Sequence, residues 1–95
     1  MSRLRPSKTR NARIARYETM LTKLLALLAG PATPKAAAAA CPLAERLSRY
    51  YESPDWKRDF AADEAGLLPP ELRRGVLSED GIYHALEAYR EWTTA

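Results

Sequence analysis

Apolar residues recur at helical spacing over three stretches of this chain. Placing residues at roughly 100° per step, Ile14, Tyr17, Leu21, Leu24, Leu25 and Leu28 share one face. Met20 and Leu27 widen that face, while Arg16, Thr19 and Lys23 lie opposite. The pattern predicts a helix from Thr9 or Asn11 to Ala29, stopped by Gly30-Pro31. Its heptad-like spacing is too short for a coiled coil. A second helix is expected after Thr33 as cap and Pro34 as first residue, with a stripe of Ala36, Ala39, Ala40, Leu43, Leu47 and Tyr50. The small residues at its start favour close approach to the first helix, as an antiparallel hairpin requires. Pro42 interrupts this pattern: inside a helix it removes a hydrogen bond and clashes one turn back, at about 3 kcal/mol. A kink or a fresh helix start is expected there.

Ser53-Pro54-Asp55-Trp56 reads as a third helix start, running to Ala65 with Gly66 as its stop. With Trp56 at zero, Phe60 falls near +40°, Asp63 near −20° and Asp59 near −60°, so both aspartates border the apolar face. Lys57, Arg58, Ala61 and Ala65 point outward. Leu67-Leu68-Pro69-Pro70 is expected to be extended, followed by a single turn over Glu71–Arg74 closed by Gly75. The last helix is expected to open at Ser78, with Leu77 and Ile82 as a hydrophobic staple. Its buried stripe is Ile82, Ala85, Leu86 and Tyr89, with Trp92 at the edge and His84 outside. The expected fold is all-α: a long antiparallel helical hairpin, then two shorter helices joined by a Pro-rich crossover. Residues 1–8 are read as a basic arm and 9–95 as one helical domain.

Composition narrows the function. The chain has 95 residues, enough for one core, and is 46% hydrophobic and 28% charged, as in ordinary globular proteins. One cysteine and one histidine exclude an internal disulfide, a cysteine-rich zinc site and a histidine metal cage. Cys41 is expected to be a buried free thiol. Residues 1–35 carry eight basic residues against Glu18 alone, whereas the remainder carries seven basic and eleven acidic residues. Such segregation fits an arm for an anionic partner, or a basic helix lying against an acidic one. A basic start, a short apolar run and then Cys41 superficially resemble a lipoprotein signal. The run Leu24–Ala29 is too short to span a bilayer, and Gly30, Pro31, Pro34 and Lys35 interrupt it. A cytoplasmic protein without membrane contact is expected.

Two chemistries compete for the acidic centre. Asp59 and Asp63 lie one turn apart and Glu79-Asp80 could fold towards them, an oxygen-only set suited to Mg²⁺ or Ca²⁺. Alternatively, the aspartates pair with Arg73, Arg74, Arg10 or Arg13, or accept from loop amides and tyrosine hydroxyls, because an unpaired carboxylate beside a core is costly. The second reading is preferred: a structural polar lock of Asp59, Asp63, Arg73, Arg74 and Ser78, with no metal assigned. No glycine-rich phosphate loop, nucleophile elbow, HExxH or CxxC is present, so no catalytic residue and no cofactor are assigned. Arg3, Arg5, Lys8, Arg10 and Arg13 are candidate phosphate contacts for a nucleic acid. Met20, Leu27 and Trp92 are candidate partner-facing residues for another protein or a second copy.

At Tyr50-Tyr51, Ser53, Trp56, Asp59, Asp63-Glu64, Gly66, Leu68-Pro69, Leu72, Gly75-Val76-Leu77-Ser78-Glu79-Asp80, Tyr83 and Leu86, the chain resembles a family of short bacterial proteins catalogued only as a domain of unknown function. The resemblance spans about residues 47–90. It implies a small, mostly helical protein whose first half is an amphipathic helical pair, and it implies no activity, ligand or site. The alanine run and Pro42 depart from it, standing where relatives look charged and continuously helical, and the basic arm is read as particular to this chain. The function expected is a small cytoplasmic protein-binding or regulatory module without catalytic activity, in one form self-associating. The alternatives are a nucleic-acid-binding accessory protein and a carboxylate-based divalent-metal site.

Overall fold

Proline and hydroxyl side chains set the helix starts in the computed structural model, which describes residues 8–94. Its elements are α1 (Lys8–Leu28), α2 (Pro34–Tyr51), α3 (Pro54–Glu64), one 3₁₀ turn (Gly75–Leu77) and α4 (Gly81–Thr94), with no strand among the described residues. The Thr33 hydroxyl accepts from the Ala36 amide at 3.1 Å ahead of Pro34, and Ser53 accepts from Trp56 at 3.3 Å ahead of Pro54. The Ser53 hydroxyl also donates to the Tyr50 carbonyl at 2.6 Å, joining the end of α2 to the start of α3. Gly66 ends α3 with φ of 73°, a left-handed conformation that glycine adopts without steric cost.

α1, α2 and α4 each pack on the other two. Ile14, Leu21 and Leu24 of α1 meet Ala40, Ala44, Leu47 and Tyr50 of α2 and Ile82, Ala85 and Leu86 of α4. α3, the Pro-rich crossover and the 3₁₀ turn complete the core with Ala62, Leu68, Val76 and Leu77. The Trp92 indole donates to the Gly30 carbonyl at 2.8 Å, so the end of α4 is tied to the α1–α2 connection. The molecule is elongated, 51 × 20 × 19 Å.

Several local expectations are corrected. Of the two outcomes expected at Pro42, a kink or a fresh start, the fresh start does not occur: α2 runs through it as one helix. The Ala38 carbonyl that loses its partner lies on an exposed residue, where water can satisfy it, while Ala40, Ala44, Leu47 and Tyr50 hold both halves on one core. α4 opens at Gly81, not Ser78. Ser78 ends the 3₁₀ turn with its amide and hydroxyl both donating to the Gly75 carbonyl, at 3.2 and 3.0 Å. The expected turn over Glu71–Arg74 is displaced to Pro69–Leu72, where the Leu72 amide donates to the Pro69 carbonyl at 3.1 Å, and Gly75 opens the 3₁₀ turn. Leu25 is 48% exposed, because α4 and α2 cover only part of the wide apolar arc of α1. Ala44, rather than Ala39, lies in the core, and Cys41 is exposed. Lys8 belongs to α1, while Arg3, Arg5 and the rest of the expected arm fall outside the described residues.

Candidate functional site

The acidic centre is built from three helices. Asp59 is fully buried and accepts from the Tyr50 hydroxyl at 2.6 Å, from Arg13 Nε at 2.9 Å and from Arg13 Nη2 at 2.5 Å. The Tyr50 ring stacks on Tyr17 with centroids 4.0 Å apart. Burial and then the bond to Asp59 push the Tyr50 phenol far above the ordinary tyrosine value. The bond to Asp59 likewise raises the Arg13 guanidinium, against the opposing effect of burial. A planar guanidinium held by a carboxylate at two points is the strong form of this pair.

A second set of bonds fastens the Pro-rich crossover. Arg74 Nη1 donates to Asp63 at 2.8 Å, its Nη2 to the Pro69 carbonyl at 2.6 Å and its Nε to the Leu72 carbonyl at 3.2 Å. The Val76 amide donates to Glu18 at 3.0 Å, and the Val76 carbonyl accepts from the Trp56 indole at 2.8 Å. The Tyr51 hydroxyl donates to the Glu79 carbonyl at 3.1 Å. The stretch Gly75–Asp80 is thus tied to α1, to the end of α2 and to α3.

These contacts sort the sequence candidates. Asp59 and Asp63 are each engaged by an arginine, but by different ones, and do not share a partner. Arg74 joins Asp63 to the crossover. Arg73 is not part of that cluster: it is exposed and lies with Glu18, Thr19, Thr22 and Lys23 around a shallow depression. Ser78 is also outside it, exposed and committed to Gly75. Arg13, named among the phosphate contacts, is turned inward to Asp59. Lys8 is exposed and Arg10 half-buried. Met20, Leu27 and Trp92 are all half-buried and packed against the core. No group of three or more His, Cys, Asp or Glu positioned to hold a metal occurs among the described residues, and no described helix is long and apolar enough to cross a membrane.

Leu27 leads elsewhere, to an open groove of about 510 Å³ between α1 and α2 lined by Lys23, Ala26, Leu27, Ala39, Pro42 and Leu43. Helical phasing puts a basic border on each side. Arg16, Lys23 and Leu27 fall within about 40° on α1. Lys35, Ala39, Pro42, Arg46 and Arg49 fall within about 80° on α2. Arg16, Lys23, Lys35, Arg46 and Arg49 are all exposed, and no ion pair among the described residues involves them. Glu45 lies one turn before Arg49 on α2, Glu52 lies further round that helix, and Glu18, bonded to the Val76 amide, shares the neighbouring depression with Lys23. The concave face therefore combines an apolar floor, with Lys23 at its edge, and an excess of positive charge along its borders. Sequence reasoning missed it because Ala39 and Pro42 read as core stripe and helix defect. The signal that pointed to it was the spacing of the five basic residues.

A family model described as Domain of unknown function (DUF4298) matches residues 14–95. No curated protein and no solved structure matches the chain. The match takes in α1 from Ile14 onward and every later element, so the chain belongs to the DUF4298 family.

Proposed function

We propose that the chain is a small non-catalytic module of the cytoplasm that binds another protein through the outer α1–α2 groove. The observation that carries this reading is the open groove whose apolar floor is formed by Ala26, Leu27, Ala39, Pro42 and Leu43. Pro42 adds support. It is the residue that most offends helix energetics, at about 3 kcal/mol, and it lines this groove; departures from local rules cluster at functional sites. The acidic centre supports the same division of labour, since Asp59 and Asp63 are already bonded to Arg13 and Arg74.

Two other occupants fit less well. A two-fold dimer through this face would set the same five cations against themselves, because an isologous interface presents one patch to its copy. A nucleic acid would use the positive charge but has no need of an apolar floor.

The test is photo-crosslinking in the native cell from a diazirine side chain at Ala26, with Ala88 on the exposed face of α4 as control. A discrete protein adduct from Ala26 alone supports the reading. Equal adducts from both positions, adducts to nucleic acid, or none from Ala26 would overturn it.

A further inference from the structure

We infer that the segment received by this groove is an acidic amphipathic helix of the partner protein, an inference that rests on the protein-binding reading above. The described residues contain no sheet edge, so an added strand would find no backbone ladder to extend. The groove contains no aromatic residue, so it lacks the aromatic-lined slots that hold polyproline segments. A helix meets both facts, because its own backbone is satisfied internally and its side chains supply the contact.

The floor sets the spacing of that helix. Ala26, Ala39 and Pro42 are short, which lets a third backbone come close, and Leu27 and Leu43 offer the larger apolar contacts. On α1 the floor runs from Lys23 to Leu27, about 6 Å at 1.5 Å per residue, so it meets a little over one turn of a bound helix. That turn presents apolar anchors at i and at i+3 or i+4. Charge sets its flanks. With Arg16 and Lys23 along one border and Lys35, Arg46 and Arg49 along the other, acids are favoured on both sides of the apolar stripe. A flat anionic membrane meets the borders but cannot reach a concave floor.

The experiment uses the full chain, isotope-labelled and followed by amide NMR during titration with synthetic 18-residue helical peptides. One peptide carries leucines at the anchor positions and glutamates on both flanks. Its comparators replace glutamate by glutamine, replace glutamate by lysine, or scramble the order at fixed composition. The inference predicts shifts around Ala26, Leu27, Ala39 and Leu43, with the glutamate peptide on the order of tenfold tighter than the glutamine peptide at low salt. That preference should collapse near 1 M salt. The lysine and scrambled peptides should not bind. The paired charge reversals Lys23→Glu and Arg46→Glu, both exposed and outside the core, should reverse the preference in favour of the lysine peptide.

Equal binding of glutamine and glutamate peptides would overturn the acidic class while leaving a protein-binding groove in place. Equal binding of the scrambled peptide would reduce the effect to unspecific charge and overturn the inference. No shift with any peptide up to millimolar concentration would do the same, and leaves the function to the crosslinking result. A single-stranded oligonucleotide or phosphatidylserine vesicles moving the same amides at lower concentration than the glutamate peptide would replace the helix by that partner.

Discussion

Arg13 and Asp59 stand 46 residues apart and meet as a fork, Nε to Oδ2 at 2.9 Å and Nη2 to Oδ1 at 2.5 Å, with the aspartate entirely out of solvent. The pair joins α1 to α3, and the Tyr50 hydroxyl joins α2 to the same carboxylate. Removing one member leaves the other's charge or lone pairs unmatched in the core. Asp59→Asn is expected to destabilise the fold by about 3–5 kcal/mol, and Tyr50→Phe by about 1–3 kcal/mol. Urea unfolding measures both. The double variant should cost less than the sum, because the two groups share one network. Losses under 1 kcal/mol for Asp59→Asn would mean the pair does not hold the helices together.

Tyr50 makes the stability depend on alkaline pH. Its phenol is raised in the folded protein, by burial first and the Asp59 bond second. Below about pH 10 folded and unfolded chains both keep the proton, and the contribution is fully present. As pH rises beyond 10 the unfolded chain alone loses that proton, so the folded state loses ground. Tyr89, raised chiefly by burial, acts in the same direction. Tyrosine absorbance followed against pH should show one of the five tyrosines ionising only with unfolding. Tyr50→Phe should remove that step.

Gly81 is required by contact rather than by dihedral angle. A Cβ there would lie 2.6 Å from the Gly75 carbonyl oxygen, a backbone atom that cannot rotate away, and would meet the Ser78 hydroxyl as well. Gly81→Ala is therefore expected to cost about 1–3 kcal/mol, although alanine is the better helix former. Thermal unfolding decides it, and an unchanged or raised midpoint would contradict the packing described at the start of α4.

Pro42 works in the opposite sense. Replacing it by alanine restores a donor for the Ala38 carbonyl and removes the ring from the preceding turn. Pro42→Ala should stabilise the protein by about 1–3 kcal/mol in the same unfolding assay. No gain would show that the helix has already relaxed around the ring.

Much of this architecture is legible in the chain because its signals are local. Thr33-Pro34 and Ser53-Pro54 announce helix starts through groups three residues away, and Gly66 announces a stop through its own φ. Helical phasing places Asp59 beside the core from its neighbours alone. The choice of Arg13 for Asp59 and Arg74 for Asp63 could not be read, since several arginines satisfy the same electrostatic demand and only tertiary placement selects among them. Glu18 illustrates the same limit: its bond to the Val76 amide crosses 58 residues, and no spacing rule connects them. Ser78 was misplaced because a hydroxyl before an apolar run caps a helix or closes a 3₁₀ turn equally well. The floor of the groove is not legible, because an alanine in a helix has the same pattern whether it faces a neighbour or solvent, and only the spacing of the basic residues marks its borders.

The polar centre is proposed to hold the fold and the groove to bind a partner, and one comparison tests that separation directly. With the photoreactive residue at Ala26, adduct formation is measured for Ala39→Gln and for Asp63→Asn, both at a temperature below their unfolding midpoints. Ala39 is exposed and lines the groove, so Ala39→Gln should leave stability within about 0.5 kcal/mol and abolish the adduct. Asp63→Asn should lower stability and keep the adduct. Loss of the adduct in Asp63→Asn, with full retention in Ala39→Gln, would contradict the assignment of binding to the groove.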